Sequence, residues 1–232
     1  MNIKEFEELV LKELKKVVDC IITENLELPI SAKSRVGAEI SDWLEEKFVE
    51  YTMNNVFFKG SEGAARDSTK NPWDARTDFV LNNTKEEIWI DFKAFKITSA
   101  NSNPDIGTPN KIIKLINEGK FYHAFIHVFY ETTDIGLKFV KLNNSYSKLY
   151  FLKDISPTFR RNPKNQLQVN ISAASEYRTR EDFIKLLMDK IKESHQRQIE
   201  ISNKALKKID KITEDLLKAN KKSEDDLTKK IQ

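Results

Sequence analysis

The stretch "NPWDARTDFVLNNTKEEIWIDFKAF", residues 71–95, decides the fold because it has the pattern of two strands joined by a turn. Apolar and polar residues alternate in "RTDFVL" and again in "EIWIDFKAF", and the "NNTKE" between them is typical of a turn. Side chains two residues apart on a strand lie on the same face of a sheet, so Asp91 and Lys93 project together. The second strand is therefore predicted to carry a carboxylate and an amine side by side.

A second carboxylate lies upstream of this pair, at Asp74 or at Asp78. A hairpin brings such a residue opposite Asp91, and the residues alone leave the choice between the two acids open. Two carboxylates at one place repel each other unless a cation joins them, and oxygen ligands suit Mg²⁺, which needs only one or two of them. A metal held there can polarise a phosphate oxygen and activate a water, while Lys93 orients that water and stabilises charge. The pattern predicts Mg²⁺-dependent phosphodiester hydrolysis.

An Asp-x-Lys tripeptide also has a simpler interpretation. On an exposed strand, Asp91 and Lys93 would form a solvated ion pair that contributes little to stability. The flanking "IWI" and "AF" favour a strand that is buried on at least one face, and the second acid at hairpin distance favours a site. The catalytic interpretation is therefore the working prediction.

The composition is typical of a soluble globular protein with a sizeable core. The chain has 232 residues, of which 39% are hydrophobic and 32% charged, and its formal net charge is +3. This charge permits a nucleic-acid partner without demanding one, and a symmetric dimer would double any basic surface. The sequence contains neither an apolar run long enough to span a membrane nor a signal-peptide core. Because Cys20 is the only cysteine, no disulfide or cysteine zinc site is expected, and a cytoplasmic location is the simplest prediction.

The whole chain predicts an α/β fold of the mixed α+β type, with a central mixed sheet flanked by helices and a long C-terminal helix. The expected organisation is one domain over residues 1–232, with N-terminal helices at 1–50, the catalytic sheet and DNA-reading loops at 74–171, and the C-terminal helix and charged tail at 180–232. The segment "KFYHAFIHVFYE" is apolar on both faces, as a central strand would be. Its His123 and His127 are expected to pack or form hydrogen bonds. The polar segment 54–73 is expected to be a surface loop, and the charged tail is expected to fray.

If DNA is the substrate, its sequence has to be read by side chains with paired donors and acceptors. Amides match adenine, and Arg or Lys match guanine or phosphate. The segment "FRRNPKNQLQVN", residues 159–170, is rich in both, and its abundance of amides over acids suits an A·T-rich site. Its candidate DNA-binding residues are Arg160, Arg161, Asn162, Lys164, Asn165, Gln166 and Gln168. Further candidates are Lys70, Asn71, Asn103 and Lys111. A polar loop without a role in recognition is the alternative for this segment.

Several blocks of the sequence resemble a known family. "D…IWIDFK" resembles the PD-(D/E)xK nuclease motif, and "RVGAEISDWLEEKF" resembles the helix that precedes it. The blocks "RVGAEISDWLE", "NPWDAR", "EEIWIDFKAFKIT", "SNPDIGTPNK" and "YRTREDF" resemble the SwaI-type family of Type II restriction endonucleases. The similarity runs from about residue 30 to about residue 200. The short motif is weakly specific, whereas the long blocks are strongly specific.

The resemblance implies a restriction-endonuclease-like core and a homodimeric, Mg²⁺-dependent endonuclease that cuts both strands of double-stranded DNA. The implied target is an A·T-rich palindrome similar to ATTTAAAT, cut to blunt ends. The resemblance places the first acid at Asp74, although Trp73 separates it from Pro72, which departs from the superfamily motif. It also places a helix acid at Glu39, which would support the metal or a metal-bound water. For Glu39 the alternative is a glutamate on the helix surface.

Two other functions fit the same residues. A structure-specific nuclease for DNA repair or junctions would keep the site without reading base sequence, and a panel of branched and linear substrates would distinguish it. A non-catalytic DNA-binding dimer, joined through its long C-terminal helix, would bind DNA without cleaving it. A buried Asp-x-Lys pair argues against this last function, because such a pair would only cost stability there.

Overall fold

The computed structural model describes residues 1–30, 36–64, 73–99 and 102–231. The helices in these ranges are α1 (Ile3–Glu24), α2 (Val36–Thr52), α3 (Pro109–Asn117) and α4 (Arg180–Ile231). The strands are β1 (Glu27–Leu28), β2 (Phe58–Gly63), β3 (Ala75–Leu81), β4 (Thr84–Lys96), β5 (Asp105–Gly107), β6 (His123–Thr133), β7 (Gly136–Phe139), β8 (Ser147–Phe151), β9 (Arg160–Arg161) and β10 (Leu167–Gln168). Short 3₁₀ helices lie at Ile97–Ser99 and Leu152–Asp154.

Within the described ranges, a seven-stranded sheet runs in the order β1-β7-β6-β4-β3-β2, and β8 also pairs with β6. Strands β4 and β6 are parallel, and the other pairs are antiparallel, so the sheet is mixed as predicted. The edge of β6 that faces away from β4 pairs with two strands. Its first half pairs with β8, and its last residues pair with β7. Every residue of β6 from His123 to Tyr130 is buried, which confirms the prediction of a central strand.

Helices α1 and α2 cover one face of this sheet. The apolar residues Val10, Leu14, Val18 and Ile21 of α1 recur with the periodicity of a helix and are buried, and a capping box between Asn2 and Glu5 lies at the start of the helix. On α2 the apolar residues Ile40, Leu44 and Phe48 are buried and belong to the same core as α1. These helices therefore pack on the face to which the alternate residues of β4 and β6, such as Phe92 and Ile126, also point.

The opposite face of the sheet is covered as well, by segments that come later in the chain. It carries Phe125 and Tyr150, whose rings stack 5.9 Å apart, and Lys148, which donates to the carbonyl oxygen of Ile171 at 2.9 Å. Thr108 is the N-cap of α3, and its hydroxyl accepts the N–H of Lys111. Strands β5, β10 and β9 form a second sheet in that order.

The chain divides into two compact units, Met1–Lys185 and Leu186–Gln232. The first contains both sheets, and the second is the continuation of α4. Helix α4 begins after Thr179, whose hydroxyl accepts the N–H of Asp182 at 3.1 Å. The charged tail was expected to fray, but α4 continues to Ile231. In the described part of the chain, no helix is both long and apolar enough to cross a membrane.

The prediction of a surface loop over residues 54–73 is wrong for the part that forms β2. Phe58 is buried, whereas Lys59 and Gly60 are exposed, and the strand pairs with β3 through its backbone. An edge strand is solvated on one side, so its polar composition reflects exposure and not irregular backbone. Part of the predicted loop, residues 65–72, lies outside the described residues.

Candidate active site

The carboxylate of Asp74 is held beside Asp91 by the backbone of β4. Asp74 lies just before β3, where its N–H donates to the carbonyl oxygen of Ile90 at 2.8 Å and its Oδ2 accepts the N–H of Phe92 at 2.7 Å. Because Phe92 directly follows Asp91, this bond places the two carboxylates next to each other. Asp91 and Lys93 form an ion pair on one face of β4. The structure thus brings together the three residues on which the catalytic prediction depends.

The pKa values at this site reflect burial first and then the charges of neighbouring carboxylates. Burial and the charge of Asp91 raise the pKa of Asp74 to about 6, although Lys93 and the N–H of Phe92 act in the opposite direction. Burial alone would lower the pKa of Lys93, but nearby carboxylates, first of all Asp91, outweigh it and the pKa is raised. Lys93 is therefore a protonated ammonium group, and Asp74 retains a proton more readily than an ordinary aspartic acid.

Helix α2 adds two carboxylates that were not predicted. Burial and then the charges of Asp74 and Asp42 raise the pKa of Glu45 to about 7. The charge of Asp42 also raises the pKa of Asp74. The helix acid expected from the family resemblance, Glu39, lies six residues before Glu45 and is exposed. The α2 glutamate whose charge interacts with Asp74 is Glu45.

The reason for this placement is a row of small residues on α2. Residues four apart lie on one face of a helix, and Gly37, Ser41 and Glu45 form such a row. A Cβ at Gly37 would lie only 3.2 Å from the carbonyl oxygen of Ala94, and the Ser41 hydroxyl donates to the carbonyl oxygen of Phe92 at 3.1 Å. The small side chains let α2 approach β4 closely, so the next residue in the row reaches the site. This spacing is the signal in the sequence that could have identified Glu45.

The donor set fits a hard divalent cation. In the described part of the chain, no three His, Cys, Asp or Glu side chains are already arranged as a metal site. Mg²⁺ keeps several water ligands and needs only one or two carboxylates, which Asp74 and Asp91 can supply. The raised pKa values of Asp74 and Glu45 indicate carboxylates that lack enough positive charge around them, and a bound cation would supply it.

The alternative first acid, Asp78, is placed elsewhere on the sheet. Its Oδ2 lies 2.8 Å from Nζ of Lys85, and it lines a polar cavity of about 140 Å³ together with Arg76 and Glu87. Asp78 pairs with Glu87 across the β3–β4 ladder, four residues before Asp91. The geometry therefore favours Asp74 as the partner of Asp91.

The candidate DNA-binding residues of segment 159–170 lie on a hairpin. Strands β9 and β10 pair with Leu167 opposite Arg161 and Gln168 opposite Arg160. The turn between them is closed by the N–H of Gln166, which donates to Oδ1 of Asn162 at 2.9 Å. Two further candidates in the turn are Asn165, with φ of 62°, and the exposed Lys164, whereas Asn103 is exposed just before β5. Lys70 and Asn71 lie outside the described residues.

The small sheet and the start of α3 lie on the same side as the catalytic residues. The charge of Asp105, on β5, raises the pKa of Lys93. The exposed Lys111, on α3, and Asp91 both act electrostatically on His123, which is buried under the site. The structure therefore brings the hairpin, through its pairing with β5, and Lys111 towards the predicted cleavage site.

His123 and His127 lie on β6, the strand next to the one that carries Asp91 and Lys93. Both are buried, and burial lowers the pKa of His123 to about 4 and that of His127 to about 3. The hydroxyl oxygen of Tyr150 lies 3.3 Å from Nε2 of His127, and the rings of Trp89 and His123 are 6.4 Å apart. The prediction that these histidines pack or form hydrogen bonds is confirmed.

Comparison with known proteins gives one family. The family model described as SwaI-like, SwaI restriction endonuclease, matches residues 2–209. No curated protein matches the sequence. Among solved structures, the NlaIV restriction endonuclease is similar, with a TM-score of 0.49 and 14% sequence identity over 82% of this chain and 80% of that chain. A structural likeness of this size does not by itself indicate a function.

Proposed function

The chain belongs to the SwaI-like family of restriction endonucleases, and from that premise we propose that it is a Type II enzyme that cuts both strands of an A·T-rich palindrome with Mg²⁺ and as a homodimer. The observation that carries the proposal is the convergence of Asp74, Asp91 and Lys93 at one face of the sheet. Their excess of negative charge matches a site that binds a divalent cation near a phosphate.

Each of these residues has a separate role in the proposal. Asp74 and Asp91 hold Mg²⁺, which supplies Lewis-acid polarisation of the scissile phosphate and a more acidic water. Lys93, kept protonated by its carboxylate neighbours, donates a hydrogen bond to the attacking water or to a phosphate oxygen and stabilises the charge that develops there. The role predicted for Glu39, support of the metal or its water, is better matched by the position of Glu45.

Recognition of DNA is assigned to the β9–β10 hairpin and its surroundings. Arg160, Arg161, Asn162, Lys164, Asn165, Gln166 and Gln168 supply the base and phosphate contacts, with Asn103 and Lys111 beside them. Amides suit adenine, and the family resemblance implies a site similar to ATTTAAAT with blunt ends. Because a palindrome has two-fold symmetry, a homodimer would place one active site on each strand. The proposed location is the cytoplasm, because the DNA substrate is found there.

The test is a digest of a long DNA of known sequence, with Mg²⁺ and separately with EDTA, followed by sequencing of the ends. Discrete blunt cuts at one A·T-rich palindrome, present only with Mg²⁺, are expected. Mg²⁺-dependent cuts without a common sequence, or cuts confined to branched substrates, would instead indicate a repair or junction nuclease. Light scattering of the protein with a short duplex tests the dimer, since one protomer per duplex would contradict it.

A further inference from the structure

We propose that Asp105 determines specificity as a positioning residue, because it holds the amide of Gln168 in the orientation that reads an A·T base pair. Nε2 of Gln168 donates to Oδ1 of Asp105 at 2.7 Å, although the two residues are 63 positions apart in sequence. The proposal rests on the function proposed above and adds to it a residue that makes no base contact itself.

The small sheet aligns these side chains in one row. In the β5–β10 and β10–β9 ladders, Gln168 pairs with Asp105 on one side and with Arg160 on the other. Asp105 and Arg160 are exposed, so the row lies on the surface. Nδ2 of Asn162 also approaches Oδ1 of Asp105, at 3.4 Å, and Asn162 uses its own oxygen to close the hairpin turn. One carboxylate therefore contacts two of the amides that were predicted to contact DNA.

A carboxylate partner removes the ambiguity of an amide side chain. The oxygen and nitrogen ends of glutamine have nearly the same shape, but an ionised carboxylate accepts hydrogen bonds and cannot donate them. The bond to Asp105 therefore fixes the nitrogen of Gln168 on the Asp105 side and directs its oxygen away. To read adenine, a glutamine accepts from the N6 amino group and donates to N7, which needs the oxygen and one remaining N–H. An amide held in this orientation also loses less conformational entropy when DNA binds.

The negative charge of Asp105 argues that this residue does more than keep the protein surface hydrated. An exposed carboxylate beside a DNA-binding surface repels phosphates and weakens sequence-independent binding. It also repels base edges that present acceptors, which adds discrimination against wrong sequences. A negative charge in the same row as Arg160 is therefore consistent with selection of sequence and not with affinity alone.

The experiment compares cleavage profiles on a library of duplexes with a randomised central segment, digested with Mg²⁺ by the full-length protein. Asp105→Ala should lower discrimination roughly 5- to 100-fold at one A·T base pair of each half-site, the range expected for one bidentate contact. Gln168→Ala should relax the same base pair, and the double variant should relax it no further. Asp105→Asn keeps an oxygen acceptor for Gln168 but adds an N–H donor that allows the opposite amide orientation, so it should retain only part of the discrimination.

Two further variants separate this role from others. Asp134→Ala removes an exposed carboxylate from the turn between β6 and β7 and should leave the profile unchanged. Gln168→Glu leaves Asp105 in place but cannot donate to it, and it should relax the same base pair. A uniform loss of rate at all sequences, or relaxation at a different base pair from Gln168→Ala, would overturn the proposal. If the wild-type protein cuts the library without any sequence preference, the proposed function itself fails.

Discussion

Two lysine side chains of this protein are each held among carboxylates, and they differ in how completely their surroundings balance the charge. Nζ of Lys153 lies 2.8 Å from Oε2 of Glu7 and 2.7 Å from Oδ1 of Asp154, and it donates to the carbonyl oxygen of Arg178 at 2.7 Å. The side chains of Lys153 and Glu7 are only 1% and 2% exposed. Lys153 thus donates hydrogen bonds to Asp154 and Arg178 and forms an ion pair with Glu7, and the group of Lys153, Glu7 and Asp154 is called the closed cluster below.

The second group, Lys93 with Asp91 and Asp74, is called the open cluster. Lys93 is 31% exposed and Asp91 is 14% exposed, so solvent and ions can reach them. The two clusters differ in which neighbouring charge has the larger effect, which is that of Lys153 at Glu7 and that of Asp91 at Asp74. Burial raises the pKa of Glu7 and Asp154 in the closed cluster, and the charge of Lys153 opposes it.

In the open cluster, the charge of a neighbouring carboxylate adds to burial at Asp74. The closed cluster is therefore balanced by the protein itself, with Lys153 and Arg178 next to its carboxylates. The open cluster lacks positive charge, and its exposed side can admit a cation and a phosphate. A lysine–carboxylate pair in the protein interior therefore indicates a catalytic site only when its negative charge is not balanced by the protein and ligands can reach it.

The largest effect is expected from Asp91→Ala in the open cluster. Loss of this carboxylate removes a proposed metal ligand and the partner of Lys93, so cleavage should fall by on the order of 10³-fold or more. Circular dichroism should show an unchanged fold, because Asp91 is reachable by solvent and its loss relieves repulsion of Asp74. Asp134→Ala is the control. Full cutting by Asp91→Ala would exclude it from the active site.

A substitution in the closed cluster should lower the stability of the fold and not the cleavage rate of the folded protein. Lys153→Met leaves Glu7 and Asp154 buried without their ammonium partner, which costs about 3–5 kcal/mol in the free energy of unfolding. Urea denaturation measures this loss, with Lys12→Met, an exposed change on α1, as the control. The folded fraction should still cut DNA. A loss below about 1 kcal/mol would mean that Lys153 does not balance this cluster.

The open cluster should make stability depend on pH when metal is absent. The folded-state pKa of Asp74 is about 6, against 3.8 for an ordinary aspartic acid. Between about pH 4 and pH 6 Asp74 therefore binds more protons in the folded protein than in the unfolded chain, and its contribution to stability falls as pH rises through this window. The lowered pKa values of His123 and His127 act in the opposite direction, so the contribution of Asp74 is the difference between the wild-type protein and Asp74→Asn. The loss should be roughly 1–3 kcal/mol for Asp74.

Thermal melting in EDTA across this range measures the effect. Asp74→Asn should remove this falling contribution and raise the melting temperature relative to the wild-type protein above pH 6, although it removes a proposed metal ligand. Added Mg²⁺ should offset the loss in the wild-type protein, because a bound cation stabilises the ionised carboxylates. Wild-type and Asp74→Asn profiles that run parallel between pH 4 and pH 6 in EDTA would show that the open cluster is not short of positive charge.

The local patterns of the sequence predicted most of the fold. The hairpin of β3 and β4, the buried β6 and the ends of α3 depend on periodicity, on a Thr108 cap and on Gly119 with φ of 73°, all of which are local signals. The edge strand β2 was missed because its polar residues resemble those of a loop. The small sheet was also missed, since its strands have two or three residues each and come from segments far apart in the chain.

The candidate site was predicted in the part that depends on strand alternation and missed in the part that depends on packing between distant elements. Asp91 and Lys93 share a face by periodicity alone, and the hairpin brings Asp74 to them. The contribution of α2 depends on which of its rows faces β4. The apolar stripe of α2 does not identify this row. The signal in the sequence is the spacing of the small residues Gly37 and Ser41 before Glu45, and their contacts with β4 show that this row faces the sheet.

The smallest of the expected effects decides which α2 glutamate supports the open cluster. Glu45→Gln and Glu39→Gln remove the same charge from the same helix and are matched controls for each other. Glu45 interacts with Asp74, so its amide variant should lower the cleavage rate roughly tenfold, as the loss of a supporting residue at a metal site does. The exposed Glu39→Gln should stay close to the wild-type rate. Single-turnover cleavage across Mg²⁺ concentrations measures both, and a loss confined to Glu39→Gln would assign the role to Glu39, as the family resemblance implies.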